Sequence, residues 1–359
     1  MEFGLSEEQK LLQETVRSFV SKECPVTKLR EIFDGELGTE PALWKGLSEM
    51  GIAGLAISED HGGAGMEVLD LALVSEVLGE GALPTPFLGH SLAGLAIEAG
   101  GSDEQKSRWL PRLASGDALG TVAFGELDNR WQPEEWTTQA SGSRVTGTKR
   151  FVPNGSLSDV VVVGVAGGGL VLIEKEAKGV TCETMDGIDR TRGVCELILD
   201  EAPCESLPNG AAASRRVRDA ALVLLAADSF GAAWKLIRMT IDYTGTREQF
   251  GTPLTQFQSV KHEIANMATD VEQTRALYWY AAHALDHLPD DSAHAAAIAK
   301  AHITDRAMEA ARSAFELHGG IGFTWECDVQ MWFKRCMFNR AFLGTPEVHR
   351  ERSAQLSGW

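Results

Sequence analysis

The chain has 359 residues, 44% hydrophobic and 23% charged, a balance that suits a globular protein of two or three domains with a large buried core. Its formal charge of -18 excludes the broad basic face that nucleic acid or an anionic membrane surface requires, so neither is expected as a partner. The six cysteines, at positions 24, 182, 195, 204, 327 and 336, show no Cys-x-x-Cys and no His cluster at ligand spacing, which predicts reduced thiols and no metal site.

The opening residues, MEFGLSEEQK, have no basic n-region and no apolar h-region, and no run approaches eighteen apolar residues. Neither export nor a membrane span is expected, and the location predicted is cytoplasmic. Ser6-Glu7-Glu8-Gln9 has the form of a capping box, and Leu12, Val16, Phe19 and Val20 then repeat at helical spacing, predicting a helix over 7–23. Pro41 suits the first turn of a second helix and Gly51 its C-terminal cap. Apolar helical patterns follow near 66–79 and 87–99, and Ser102-Asp103-Glu104-Gln105 repeats the capping box before Trp109, Leu110 and Leu113. Residues 1–116 therefore read as a helical domain. Within it, Glu59 to Gly65 is rich in glycine, but no strand precedes it and no Lys-Ser/Thr follows. A tight interhelical turn is expected there rather than a phosphate loop, with no catalytic role for His61.

From about Gly116 the period becomes that of strands. Short β-rich runs at 121–124, 144–146, 160–165, 170–173 and 196–199, punctuated by glycines, indicate a small antiparallel barrel or sandwich over 117–212. Beyond Pro203 and Pro208, helical spacing returns. Ala220, Leu224, Ala227, Gly231 and Trp234 predict one buried face of a long helix ending near Tyr243. Further helices are expected over 257–287, 292–317, 325–338 and 346–356, an antiparallel bundle filling 213–359. The fold class is mainly α with a central β domain. Trp325 and Trp332 are expected in the core.

Two segments carry the chemistry. Arg247-Glu248-Gln249-Phe250-Gly251 stands at the end of the long helix, with Gln258 eleven residues after Arg247, and His318-Gly319-Gly320-Ile321-Gly322 lies between two helical patterns. A glycine turn alone is most often a plain connection. Together, Arg-Glu-Gln-Phe-Gly-x-Pro-x-x-x-Phe-Gln and His-Gly-Gly-Ile-Gly-Phe-Thr-Trp-Glu resemble the acyl-CoA dehydrogenase family, flavoenzymes that introduce an α,β double bond into acyl-CoA thioesters. The resemblance runs essentially the whole length and implies the family's fold: N-terminal helical domain, middle β barrel or sandwich, C-terminal four-helix bundle.

That chemistry needs a carboxylate to remove the α-proton while a hydride leaves the β-carbon for the flavin. The common family pattern supplies it from a Glu-Gly-Thr run, which here is Leu343-Gly344-Thr345; some members place it on the long helix, at the position of Ala221. Neither side chain accepts a proton, so no catalytic residue is expected. Asp219 and Glu347, the nearest carboxylates in sequence, are assigned ordinary surface or capping roles.

The flavin-facing segments depart as well. Where the family has Thr-Glu-Pro-x-Ala-Gly-Ser this chain has Phe124 to Trp131, and where it has Trp-Ile-Ser/Thr-Asn this chain has Phe151-Val152-Pro153-Asn154. Pro153 brings neither hydroxyl nor N–H. The dinucleotide-facing positions remain. By resemblance, Arg247, Phe250, Gln258, Glu316, Gly319, Gly320, Ile321 and Gly322 would contact the AMP and pyrophosphate end of a neighbouring subunit's FAD. A guanidinium suits pyrophosphate because it donates two parallel charge-assisted bonds. Glu316 replaces the usual Gln; its carboxylate is repulsive to pyrophosphate unless protonated or turned toward a ribose hydroxyl or the adenine amine.

The pattern implies a non-catalytic subunit of an α2β2 acyl-CoA dehydrogenase. A catalytic partner would bring the base and most FAD and CoA contacts, an electron-transfer flavoprotein would accept the electrons, and a bulky steroid side-chain acyl-CoA would be the substrate. Two alternatives stand beside it: a self-sufficient homotetramer using a displaced carboxylate such as Glu347, and a non-redox scaffold that has kept the fold.

Overall fold

The structure, a computed structural model, describes residues 4–35 and 40–359. Helices α1 (Glu7–Glu23), α2 (Val26–Asp34), α3 (Pro41–Glu49), α4 (Val68–Glu80), α5 (Phe87–Gly100) and α6 (Asp103–Ser115) come first. Strands β1 (Gly120–Ala123), β2 (Gln139–Ser141), β3 (Arg144–Pro153), β4 (Val160–Val165), β5 (Gly169–Glu174), β6 (Val180–Met185), β7 (Val194–Pro203) and β8 (Glu205–Ser206) follow. The long helix α7 (Gly210–Thr246) leads into a short hairpin, β9 (Glu248–Gln249) and β10 (Thr252–Pro253). Helices α8 (Gln258–Glu272), α9 (Arg275–His287), α10 (Pro289–His318), α11 (Val329–Ala341) and α12 (Pro346–Leu356) complete the chain.

Local chemistry sets the helix ends. Both expected capping boxes form: Ser6 accepts from the Gln9 N–H at 3.1 Å, Ser102 from the Gln105 N–H at 3.2 Å, and each glutamine side chain bonds back. Gly51, at φ +83°, follows α3, whose first residue is Pro41. The Glu59 to Gly65 segment is a tight turn, one 3-10 turn closed by Gly62 at φ +79°.

The contacts divide the chain into two compact units, one of Met1–Asp34, Ala72–Leu83 and Leu222–Trp359, the other of Gly35–Leu71 and Pro84–Ala221. In the first, α4 and α7 cross backbone to backbone. A Cβ at Gly231 would lie 1.9 Å from the Glu76 carbonyl oxygen and one at Gly79 2.0 Å from that of Asp228, so neither position admits a side chain. Asp228, buried, takes Arg335 through Nε at 2.9 Å and Nη2 at 2.6 Å, with Asn339 Nδ2 at 2.6 Å. Trp332 is core as expected, its Nε1 donating to the Glu80 carbonyl at 2.9 Å. Trp325 is 49% exposed, with Lys334 over its ring, and so departs from the core expectation.

Two further expectations change. The long helix is buried all round from Val217 to Ala233, not along one stripe, because small residues let neighbours close on every side. By length and composition it could cross a membrane, but its most apolar eighteen-residue window, of mean hydropathy 1.6, is 89% buried inside the protein. The single helix predicted over 257–287 is two, α8 and α9, broken where the Thr274 hydroxyl donates to the Val271 carbonyl at 2.7 Å.

The second unit holds β1 to β8 as two four-stranded sheets, ordered β1-β4-β5-β8 and β2-β3-β7-β6. All neighbours are antiparallel except β1 and β4, which pair in parallel with Gly120 opposite Val160. Val145, Val152, Val161, Val163, Leu197 and Leu199 fill the core they share. The pairing of β6 with β7 is not expected from the sequence, because the Val180–Met185 run is mostly polar and half-exposed.

Candidate functional site

Within the first unit, the two motif segments are brought together by one ring contact. Tyr243, on the last turn of α7, stacks on His318, the last residue of α10, with centroids 4.4 Å apart and planes 17° from parallel. His318 Nδ1 also bonds the Ala314 carbonyl at 2.7 Å, which fixes the ring. Four residues after Tyr243 comes Arg247; directly after His318 comes Gly319. Nothing in the sequence marks Tyr243 or the His318 ring for this role, because the joint is a tertiary contact between residues far apart in the chain.

Beyond Tyr243 the chain turns in the β9–β10 hairpin, with Gln249 opposite Thr252. Its two turn residues, Phe250 at φ +55° and Gly251 at φ +77°, are both left-handed, the geometry a two-residue hairpin favours. Phe250 is 95% exposed, an aromatic ring held outward at a strained tip. Arg247 is exposed and its guanidinium has no hydrogen bond or ion pair among the described residues; the Gln258 amide, at the start of α8, is equally uncommitted. Arg247 therefore does not take the plain role of pairing with a nearby acid.

The glycine turn is open on its outer side. Gly319, at φ +64° and ψ -147°, and Gly320 have no atom within 4 Å of a would-be Cβ, whereas a Cβ on the buried Gly322 would lie 2.8 Å from the Phe315 carbonyl oxygen. Ile321 is 46% and Phe323 71% exposed. Glu316 is exposed, and its backbone carbonyl accepts the Gly319 N–H. Free guanidinium, free amide and glycine backbone fit an anionic dinucleotide; the Glu316 carboxylate does not fit its phosphates.

Where a catalytic carboxylate would stand, Leu343 is 1% exposed at φ +61°, followed by Gly344 at φ +105°. The turn is clamped from below. Lys300, fully buried, donates to the Arg340 and Gly344 carbonyls, both at 3.1 Å, and His349 Nε2 bonds the Leu343 carbonyl at 3.0 Å. Burial, aided by the nearby Arg340 charge and opposed by Asp305, lowers the Lys300 ammonium to about 7.

Both displaced carboxylates are engaged by guanidinium groups. The Thr345 hydroxyl and the residue's own N–H, with Arg340 adding, hold Glu347 at about 2, and its Oε1 lies 2.9 Å from Arg340 and 3.9 Å from Arg350. An exposed carboxylate so engaged is a poor base. Asp219 is buried rather than on the surface, against expectation, and pairs with Arg218 through Nε at 3.0 Å and Nη2 at 3.2 Å. Ala221 is fully buried.

In the second unit, the segment that would face an isoalloxazine is filled by its own side chains. Trp131 is 8% exposed, 2.5 Å from a Cβ placed on Gly125 and 5.9 Å in centroid from Phe151. The Glu126 N–H is spent on the Arg130 carbonyl at 3.1 Å, and Gly125 pairs with Arg150. Beneath, Lys149 Nζ lies 2.6 Å from Glu126 Oε1 and over the Trp136 ring at 4.9 Å, both charges buried. Burial would raise Glu126, but Lys149 and the Thr137 and Thr138 donors hold it at about 2; burial brings Lys149 down to about 8 against Glu126. The pair is ionised at neutral pH and structural. Pro153, with no N–H, and these committed donors fit a flavin ring poorly.

Helices before and after two small sheets, with an Arg-x-x-Phe-Gly hairpin joined to a Gly-Gly-x-Gly turn, define the flavin-linked oxidoreductases acting on acyl-CoA. Residues 6–117 match the acyl-CoA dehydrogenase N-terminal domain and residues 219–357 the acyl-CoA dehydrogenase C-terminal domain. The chain belongs to the acyl-CoA dehydrogenase family. Acyl-CoA dehydrogenase IpdE2 of Mycolicibacterium smegmatis is 33% identical over 97% of this chain and 98% of its own length. IpdE2 of Mycobacterium tuberculosis is 31% identical over 98% of each. Among solved structures, a chain of the Tcur3481-Tcur3483 steroid ACAD (G363A variant) superposes with TM-score 0.91 at 29% identity, covering 98% of both chains. A chain of the ChsE4-ChsE5 complex from Mycobacterium tuberculosis gives TM-score 0.90 at 26% identity, covering 100% of this chain and 99% of that one.

Proposed function

We propose that this chain is the non-catalytic subunit of an α2β2 FAD-dependent acyl-CoA dehydrogenase of the cytoplasm. The observation that carries the reading is Leu343: a buried hydrocarbon, clamped in place, at the position that the family pattern gives to the base. Ala221 at the other base position, and the engagement of Glu347 and Asp219 by guanidinium groups, support the reading that the chain does not act alone. The three stretches 1–116, 117–212 and 213–359 serve as the family's three domains.

FAD, when bound, supplies the hydride acceptor. Arg247, Phe250 and Gln258 with the Gly319-Gly320-Ile321-Gly322 turn hold the AMP and pyrophosphate end of a partner subunit's FAD, and Glu316 turns toward a ribose hydroxyl or the adenine amine. The partner contributes the base and binds the acyl-CoA, and an electron-transfer flavoprotein receives the electrons. Relatives described as a steroid ACAD and as a two-component complex support a bulky steroid side-chain CoA ester as substrate. The test is absorbance near 450 nm. The isolated chain should carry little flavin and the co-expressed pair about one FAD per heterodimer, since binding to the native complex alone shifts the equilibrium. Full flavin occupancy of the isolated chain refutes the reading.

A further inference from the structure

Within the second unit, a cleft of about 430 Å³ opens at one end of the two sheets, between the start of β3, the ends of β5 and β7, and helix α6. That volume lies within the range of small-molecule sites, about 300–1,000 Å³. None of the segments discussed above for cofactor or base lines it.

Its floor is apolar: Val160, Leu172 and Ile173 are almost fully buried. Cys204 belongs with them, since burial raises its thiol and keeps it neutral, although Arg144 pulls the other way. The rim is cationic. Arg108, Arg144 and Lys178 line it with two carboxylates, Glu174 and Glu205. Glu205 is already taken by Arg108 at 2.7 Å and by Gln105 at 3.4 Å. Arg144 reaches only a carbonyl, that of Glu201 at 2.8 Å, and neither it nor Lys178 pairs with a carboxylate among the described residues.

Two buried donors beside the cleft are unmet, as is the exposed Glu174 carboxylate on its rim, which has no hydrogen-bond or ion-pair partner among the described residues. Trp109 is 3% exposed, yet its Nε1 has no acceptor, and the Arg108 Nε beside it has none. Both atoms are closed to solvent, so neither offers a direct contact to a ligand, which leaves the exposed Arg144 and Lys178 as the polar contacts of the cleft. In a chain of charge -18, a rim with a net charge of one positive (Arg108, Arg144 and Lys178 against Glu174 and Glu205) over an apolar floor favours an anion with an apolar body.

We infer that this inter-sheet cleft is a ligand site that binds a small organic acid: carboxylate to Arg144 and Lys178, apolar frame against Val160, Leu172 and Ile173. The inference does not depend on whether the chain is catalytic.

The test uses the full chain labelled with ¹⁵N, whose indole N–H resonances report the tryptophans individually. Trp109→Phe identifies the resonance of Trp109 by its loss, and sodium decanoate is the probe. Decanoate should move that resonance saturably, while decanol and inorganic phosphate should not. Arg144→Glu, at an exposed position, should weaken decanoate binding about tenfold or more by reversing a charge-assisted contact. An unmoved Trp109 resonance, equal binding of decanol, or unchanged affinity in Arg144→Glu overturns the site. Should Trp109→Phe not fold, calorimetric titration of decanoate into the wild type and Arg144→Glu makes the same decision.

Discussion

Tyr243 and His318 lie face to face at 4.4 Å, one closing α7 and the other closing α10. Because Arg247 follows the first ring by one helical turn and Gly319 follows the second directly, this stack sets the spacing between the guanidinium and the glycine turn. A stacked aromatic pair contributes about 0.5–1.5 kcal/mol beyond its burial. In the complex with the partner, Arg247→Ala should weaken FAD retention by about 1.5–3 kcal/mol, the range for hydrogen bonds to charged groups. Tyr243→Leu should weaken it by only about 0.5–1.5 kcal/mol, because it loosens the support and leaves the donor. Flavin release measured against ligand-free complex separates the two, and equal losses would show that Arg247 also acts only through position.

The glycine turn makes a second, internal comparison. Gly319 sits at φ +64° and ψ -147°, a region closed to side chains, yet has open space around it; Gly320 has the same open space and no positive φ. Gly319→Ala should cost about 1–3 kcal/mol in conformational strain, while Gly320→Ala should be nearly neutral. Urea unfolding of the two variants side by side is the check, and similar midpoints would mean the backbone relaxes freely here.

Much of this was legible in the residues. Capping boxes, the strand-rich middle and the two motif segments are local signals, and local signals survive into the structure. What the pattern withheld is tertiary. Apolar spacing in α7 predicted one buried face, and only packing on every side made it buried all round. Asp219 reads as a surface acid until Arg218, its immediate neighbour, is seen folded back onto it. Lys300 gives no sign in a lysine-poor alanine helix that it is fully buried beneath the turn carrying Leu343, because the partners that hold it are backbone carbonyls. The departure at Leu343 itself needed no structure. Its burial did.

Lys300 also predicts a pH dependence. Its ammonium faces Arg340 and Asp305 and titrates near 7 when folded, against about 10.4 when unfolded. Between these values the unfolded chain binds more protons, so stability rises with pH from about 7 toward 10 and this gain is lost as pH falls through 7. Between pH 7 and 8 Lys300 should add roughly 1 kcal/mol to the rise. Lys149, near 8 when folded, adds in the same sense but does so equally in a Lys300→Met variant. The difference in slope between wild type and Lys300→Met, from chemical unfolding at each pH, therefore isolates Lys300; identical slopes would place its proton elsewhere.

The last comparison sets position 343 against position 347. Glu347 is exposed and held low by Thr345, its own N–H and Arg340, so Glu347→Gln removes rim ion pairs worth little and should leave turnover of the complex within about twofold. A collapse of turnover would make Glu347 the base and this chain catalytic. Leu343→Glu tests the opposite case. It restores a carboxylate to the family's position but buries it without a hydrogen-bonding partner, because the Lys300 ammonium below is committed to the Arg340 and Gly344 carbonyls. An uncompensated buried charge costs about 3–5 kcal/mol, so the variant should lose stability and its carboxyl should stay protonated at neutral pH. Dehydrogenation by the isolated Leu343→Glu chain, followed by dye reduction with an acyl-CoA, should remain at background. Activity above it would mean that a flavin ring and a substrate pocket are still present and that the missing oxygen alone silenced this subunit.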